Sequence, residues 1–297
     1  MADAPVRHTA HVLFSNVQHA ARDELRRSSV GLAFSGFSAG LNIGFSFVAV
    51  AAVLTAVGTD SPYAGLWAAV AYPVGFILII LARAQLFTEN TLTPVILVLS
   101  DPTQRNLLNT ARLWGIVLAA NLLGAYLFAL ALSSLDVAPH LDAGTLRHVA
   151  EEAYRGGWQD LFLRAIYGGW LIALLTWIIH AGTGVLGELV VIWLIAFMIQ
   201  AAGFAHSVAG AVEILYLAHE DILSWRQWLL GFQVPVTLGN AVGGVVFVGL
   251  VNFGQAVGAG RDAERAERTR HIRELRRAKE IQEAVSPDEP GAAREES

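Results

Sequence analysis

The chain of 297 residues has no cysteine and one lysine, Lys279. Without cysteine there is no disulfide framework and no thiolate metal site. Charge is scarce: 15% of the residues are Asp, Glu, Lys or Arg, against 55% hydrophobic, and the mean hydropathy is +0.51. No apolar leader precedes the first hydrophobic run. Residues 1–29 carry Asp3, Arg7, Arg22, Asp23, Glu24, Arg26 and Arg27, so no signal peptide is expected. No metal-ligand cluster or nucleophile–base pair stands out, so neither an enzyme nor a bound cofactor is expected. The net charge of −5 gives no reason to expect a nucleic-acid partner.

The apolar residues are present as long runs. Residues 30–57, 64–82, 113–135 and 228–260 contain no Asp, Glu, Lys, Arg or His. Residues 165–187 contain only His180 of these types, and residues 189–212 only His206. About 20 apolar residues cross a bilayer. The expected fold class is therefore an all-α membrane protein with six transmembrane helices. Four basic residues precede the first run and nine follow the last. Arginine excess marks the cytoplasmic side, so both termini are expected there, in an inner membrane. Three parts are expected: an amphipathic N-terminal segment over 1–27, a six-span pore domain over 28–258, and a charged tail over 259–297. Val12, Leu13, Phe14, Val17 and Leu25 would form the apolar side of a membrane-surface helix. Mixed Arg and Glu over 261–284 predict a solvated helix, and residues 285–297 read as disordered.

Two polar breaks interrupt the second and fifth runs: Leu86-Phe87-Thr88-Glu89-Asn90-Thr91 and Gly203-Phe204-Ala205-His206-Ser207. Irregular backbone survives at membrane depth only against protein or a water-filled cavity. Paired broken spans therefore point to a solute path near the midplane. A repeat accompanies them. Asn121-x-x-Gly124-x-x-x-Phe128 recurs 119 residues later as Asn240-x-x-Gly243-x-x-x-Phe247. The same offset places Thr88 on Ser207 and Phe87 on His206. Two three-span halves invert the second relative to the first, the plan of many transporters. Chance similarity between Gly- and Ala-rich helices is the plainer alternative.

His206, among small neighbours, is the strongest candidate in the path. An ionisable group at membrane depth is by default functional, and histidine can donate a proton or a hydrogen bond to an anion. A packed histidine bonded to a carbonyl is the alternative. Thr88 and Thr91 offer hydroxyls to freed carbonyls or to a passing solute. Glu89 reads as solvated at a helix end, and His180 as a boundary residue.

These motifs, with Pro235-Val236-Thr237-x-Gly239-Asn240-x-x-Gly243-Gly244, resemble those of the formate/nitrite transporter family over most of residues 28–255. The resemblance implies an aquaporin-like protomer of two inverted three-helix repeats with broken second and fifth spans. It also implies a homopentamer with one pore per protomer. The solute would be a small monovalent anion or its weak acid, with formate, nitrite and hydrosulfide the usual cases. By resemblance, His206 is the central pore histidine and Thr88 the loop threonine facing it. Leu86 and Phe87 fall at the cytoplasmic constriction. Tyr72 and Ile199 fall at the periplasmic one, with Phe76 a turn from Tyr72. Thr91 and Ser207 flank the two central residues. The chain also departs from the family pattern. Gly169 stands where the family often has asparagine, and Ala205 where an acidic residue often precedes the histidine. The periplasmic lysine is missing, leaving Arg155 and Arg164 as candidates to replace it. The reading is a channel or proton-linked transporter for a small weak acid. Its rivals are a neutral-solute pore, against which no Asn-Pro-Ala pair occurs, and a non-transporting membrane scaffold.

Overall fold

The computed structural model describes residues 10–134, 137–182 and 184–285. The described residues form helices and no strands. Six helical stretches are long and apolar enough to cross a membrane: Ser29–Val57, Ala64–Leu81, Gln104–Ser134, Trp158–Ile179, Gly184–Ala201 and Gln227–Gly258. The first comprises α2 (Ser29–Asn42) and α3 (Gly44–Val57), and the second α4 (Ala64–Ala71) and α5 (Pro73–Leu81). The third is α7 (Gln104–Ser134), the fourth α9 (Trp158–Ile179) and the fifth α10 (Gly184–Ala201). The sixth holds α12 (Val234–Val242) between two wider π-helical turns, Gln227–Gln233 and Gly243–Leu250. Shorter helices are α1 (Ala10–Arg26), α6 (Thr93–Ser100), α8 (Ala143–Tyr154) and α11 (Ala209–His219). The last is α13 (Val251–Val285). Outward-facing apolar side chains such as Phe34, Leu107 and Leu186 are exposed, as a lipid-facing surface requires.

The fourth and fifth spans lie earlier than the charge-free runs suggest. Helix α9 starts at Trp158 although Asp160 and Arg164 follow, because Asp160 Oδ2 accepts from the amide of Gly157 and closes the first turn. Helix α10 ends at Ala201, and residues to Val212 belong to the break and to α11.

After Leu81 and after Ala201 the chain leaves the helix in the same way. Arg83 and Gly203 take left-handed backbone, with φ of 55° and 66°. Ala84 N donates to Ile79 O at 3.0 Å, and Phe204 N donates to Ile199 O at 2.9 Å. This is the Schellman closure of a helix end, and Gly203 is the residue type that adopts it without strain. After the first exit, a single 3₁₀ turn, Glu89–Thr91, precedes α6.

Two asparagines tie these exits to neighbouring spans. Asn121 Oδ1 accepts from Phe87 N at 2.8 Å, and its Nδ2 donates to Gln85 O and Gly36 O. Asn240 Oδ1 accepts from Ser207 N at 2.8 Å, and its Nδ2 donates to Ala205 O and Ala165 O. The correspondence corrects the register expected from sequence. Phe87 matches Ser207, Gln85 matches Ala205 and Arg83 matches Gly203, an offset of 120 rather than 119 in the breaks. One residue fewer separates Ser207 from Asn240 than Phe87 from Asn121. His206 therefore stands opposite Leu86 in the repeat, not Phe87.

The crossings repeat too. A Cβ on Gly40 would lie 2.1 Å from Asn121 O, and one on Gly169 would lie 2.1 Å from Asn240 O. Only glycine lets α2 approach α7, and α9 approach α12, this closely.

Helix α1 lies against the bundle. Val17, Ala21 and Leu25 are buried, and Leu13 and Phe14 pack near Leu92, Ile96 and Val248. The expected apolar side is thus covered by protein, apart from the exposed Val12. The docking carries a titratable contact: Thr93 Oγ1 donates to Glu24 Oε2 at 2.7 Å. Burial pushes the Glu24 carboxyl up from its ordinary value, against the lowering effect of the Thr93 bond. Docked Glu24 therefore binds its proton more tightly than undocked Glu24. Docking is strongest below the ordinary carboxylate value and weakens as pH rises through the raised one. Amide exchange in α1 is expected to be slower at about pH 5 than at about pH 8, after correction for intrinsic rates. Glu24→Gln should flatten that difference, and an unchanged difference would show that Glu24 does not control docking.

The charged tail is helical over its described part, in α13 to Val285. Of the segment expected to be disordered, residues 286–297 lie outside the described residues.

Candidate functional site

The two helix exits face each other and bring Thr88 and His206 together. Thr88 Oγ1 and His206 Nε2 lie 2.8 Å apart, and both side chains are buried. The tautomer follows from the other ring nitrogen. Nδ1 accepts from the amides of Val208 and Ala209 at 3.3 and 3.1 Å, at the amino end of α11. A nitrogen that accepts carries no proton, so the proton of the neutral ring is on Nε2. Nε2–H donates to Thr88, which leaves the Thr88 hydroxyl proton free for another acceptor. Thr91 Oγ1 donates to Thr88 O at 2.7 Å and rests on Gly244, where a Cβ would lie 1.9 Å from it. Thr91 thus holds the loop that presents Thr88.

Aromatic and aliphatic groups close the surroundings. The Phe76 ring meets the His206 ring edge-on at 5.1 Å, and Tyr72 is 5.4 Å from Phe76. Ile199 is fully buried in the same core. The Phe87 ring packs against Trp114 at 5.9 Å. Ser207 is buried, and its hydroxyl has no partner among the described residues.

One cavity reaches His206, and another reaches Leu86 and Glu89 in the loop that carries Thr88. The first, of about 520 Å³, sits under α8 and is lined by Tyr72, Arg164, Gly203, His206 and Glu213, among others. The other, of about 610 Å³, sits beside α1 and is lined by Glu24, Arg83, Gln85, Leu86 and Glu89. The contact itself is closed off from both, with Thr88 and His206 buried. Its walls offer one ring N–H, one hydroxyl and apolar rings. No group of three or more His, Cys, Asp or Glu placed to hold a metal occurs among the described residues.

The family model described as "Formate/nitrite transporter" matches residues 11–254. The chain belongs to the formate/nitrite transporter family. Relatives include "Inner membrane protein YfdC" of Escherichia coli K12, 32% identical over 246 residues, covering 83% of this chain and 78% of that protein. "Formate channel FocA" of Haemophilus influenzae is 26% identical, covering 73% of this chain and 83% of that one. Among solved structures, an "FNT family ion channel" superposes with a TM-score of 0.72 at 22% identity, covering 83% of this chain and 99% of that one. A "Pentameric formate channel with formate bound" gives a TM-score of 0.61 at 22% identity, over 77% and 98%. At that identity the two structures share the fold with this chain.

Within the family fold, the structure brings Thr88, His206, Phe76 and Tyr72 to one point, with Leu86 on the α1 cavity. It places Gly169 at the α9–α12 crossing, against the Asn240 backbone. The contact made there gives Gly169 a packing role. Two charged groups facing the α8 cavity carry more weight than the sequence suggested. Arg164 donates from Nε to Gly203 O and from Nη1 to Arg155 O, which pins it at the break. Glu213 was not anticipated, although it stands seven residues after His206 in an otherwise apolar stretch. Glu24 and Glu89, read as leader and solvated end, both line the α1 cavity.

Proposed function

We propose that the protein is a channel or transporter for small monovalent anions or their weak acids, formate and nitrite being the type cases. The observation that carries this reading is the buried Thr88–His206 bond, with one cavity reaching His206 and another the loop of Thr88. A bare anion pays a large desolvation cost in an apolar constriction. The neutral acid does not, and it brings an acceptor and a donor. Its carbonyl oxygen accepts from His206 Nε2–H, and its O–H or second oxygen meets the Thr88 hydroxyl. The solute thus substitutes for the contact it opens. Proton linkage follows if the acid form crosses and the anion form predominates outside.

The same reading takes the two breaks as halves of broken spans in an aquaporin-like inverted repeat. The matched Asn121 and Asn240 networks support this. His206, Thr88, Leu86, Phe87, Tyr72, Phe76 and Ile199 line or shape the path, and Thr91 and Ser207 support its two loops. Residues 28–258 form the pore domain, with 1–27 docked against it and 259–297 as a tail. The protein assembles as a homopentamer in a bacterial inner membrane with both termini cytoplasmic. Relatives described as an inner membrane protein and a pentameric formate channel support the membrane and the pentamer, and the arginine-rich ends support the orientation.

Purified full-length protein in proteoliposomes tests the reading. Labelled formate should enter faster than in empty vesicles, and faster again with an acidic exterior. Equal uptake in both preparations for formate, nitrite, acetate and hydrosulfide would refute it.

A further inference from the structure

The α8 cavity contains a buried carboxyl that the path does not otherwise use. Glu213 is 6% exposed and lines the cavity that ends at His206. Its side chain makes no hydrogen bond and no ion pair among the described residues. Across the cavity Arg164 spends two nitrogens on backbone carbonyls, and its Nη2 makes no bond among the described residues. The carboxyl and the guanidinium share one space without closing on each other. Such a pair leaves room for a small guest that carries charge to one and exchanges a proton with the other.

We propose that Glu213 is the proton-exchange group of this cavity, converting a small carboxylate held near Arg164 into the neutral acid that then meets His206. The proposal rests on the weak-acid reading above. In the step, the Glu213 Oε–H bond breaks and an O–H bond forms on the solute carboxylate. Glu213 is left as a carboxylate facing the Arg164 guanidinium, and water at the cavity mouth returns the proton. Each acid molecule that crosses thus carries one proton taken from the solution on the α8 side. Transport in the other direction reverses each step.

The groups facing Glu213 bear on its titration. Arg164 comes from α9, His148 and Glu152 from α8, Arg155 from the turn after α8, Tyr72 from the α4–α5 junction, and His206 from the break. Helix α3 and the turn Gln227–Gln233 contribute no titratable side chain. Helix α7 brings Tyr126, which packs on His219 at the end of α11.

The test is labelled-formate uptake by proteoliposomes across a series of exterior pH values, for wild type, Glu213→Gln and Glu213→Asp. Glutamine keeps the shape and cannot exchange a proton. With an acidic exterior, Glu213→Gln should lose about a hundredfold in uptake, the lower range for a positioned proton-transfer group, and its pH profile should flatten. Glu213→Asp should retain a pH-dependent profile, displaced and reduced. A wild-type profile in Glu213→Gln would overturn the proposal, as would increased uptake, which would make Glu213 a barrier to anions. If Glu213→Gln does not assemble, the aspartate variant decides: a displaced profile supports proton exchange and an unchanged one overturns it. Absence of uptake by wild type for formate, nitrite, acetate and hydrosulfide alike would refute the weak-acid reading itself, an outcome distinct from a variant that merely behaves like wild type.

Discussion

Asn240→Leu is expected to destabilise the folded protein by about 2–6 kcal/mol. Leucine fills similar space but leaves Ser207 N and Ala205 O without the only partners they have among the described residues. Each orphaned buried group costs about 1–3 kcal/mol. The third bond, to Ala165 O, matters less, because that carbonyl lies inside α9. Interhelical side-chain bonds in membranes average only about 0.6 kcal/mol, because the separated helices find other partners. Here the partners are backbone groups of a non-helical segment, so the larger figure applies. Against a total stability of about 5–15 kcal/mol, the loss is a large fraction and should lower the unfolding temperature markedly. Asn121→Leu should behave alike through Phe87 N and Gln85 O. The exposed Gln255→Leu should cost under about 0.5 kcal/mol. Thermal unfolding in detergent, followed by tryptophan fluorescence, measures all three. An Asn240→Leu protein as stable as Gln255→Leu would show that the asparagine is not what holds the break.

His206→Phe should reduce formate flux by about a hundredfold or more, a loss of the size seen when a preorganised oxyanion-hole donor is removed from an enzyme. Phenylalanine keeps the ring contact with Phe76 and removes both nitrogens. Two effects separate. Loss of Nδ1 uncaps Val208 N and Ala209 N and costs about 0.5–2 kcal/mol of stability, which the assembly should survive. Loss of Nε2 removes the donor that the solute must meet, and with it transport. His206→Asn offers an oxygen to the α11 amides but is too short to reach Thr88. It should recover stability without recovering flux. Uptake measured beside size-exclusion profiles of each variant distinguishes these effects. Normal flux in an assembled His206→Phe protein would make the histidine a helix cap only.

Much of this was legible in the sequence, because a bilayer imposes strong patterning. Charge-free runs located six spans, and polar residues inside two of them located the exits. The runs failed at their edges. Arg164 lies within α9, pinned by backbone carbonyls that no run length reveals. The matching motifs at Asn121 and Asn240 were visible, but not the register of the bonds they make in the breaks. That register depends on which amide each side chain reaches, and a one-residue difference in loop length leaves no compositional trace. Thr88 and His206 meet at 2.8 Å even though the matched bonds place Leu86, not Phe87, opposite His206. Glu213 was overlooked because a single acidic residue after an apolar run resembles the end of a span. Only the closure of α8 over the cavity shows that it is buried. Gly169 was assigned by motif alignment, and its role emerged only with the α9–α12 crossing.

The central claim is that solute passes between Thr88 and His206, and the cysteine-free chain allows a direct test. Thr88→Cys places a single thiol at the closed point. Treatment of Thr88→Cys proteoliposomes with a small neutral methanethiosulfonate should stop formate uptake. Excess formate should slow the block, reductant should reverse it, and the wild type should be indifferent to the reagent. Complete modification of the introduced thiol, verified by mass, with formate uptake unchanged would contradict the account.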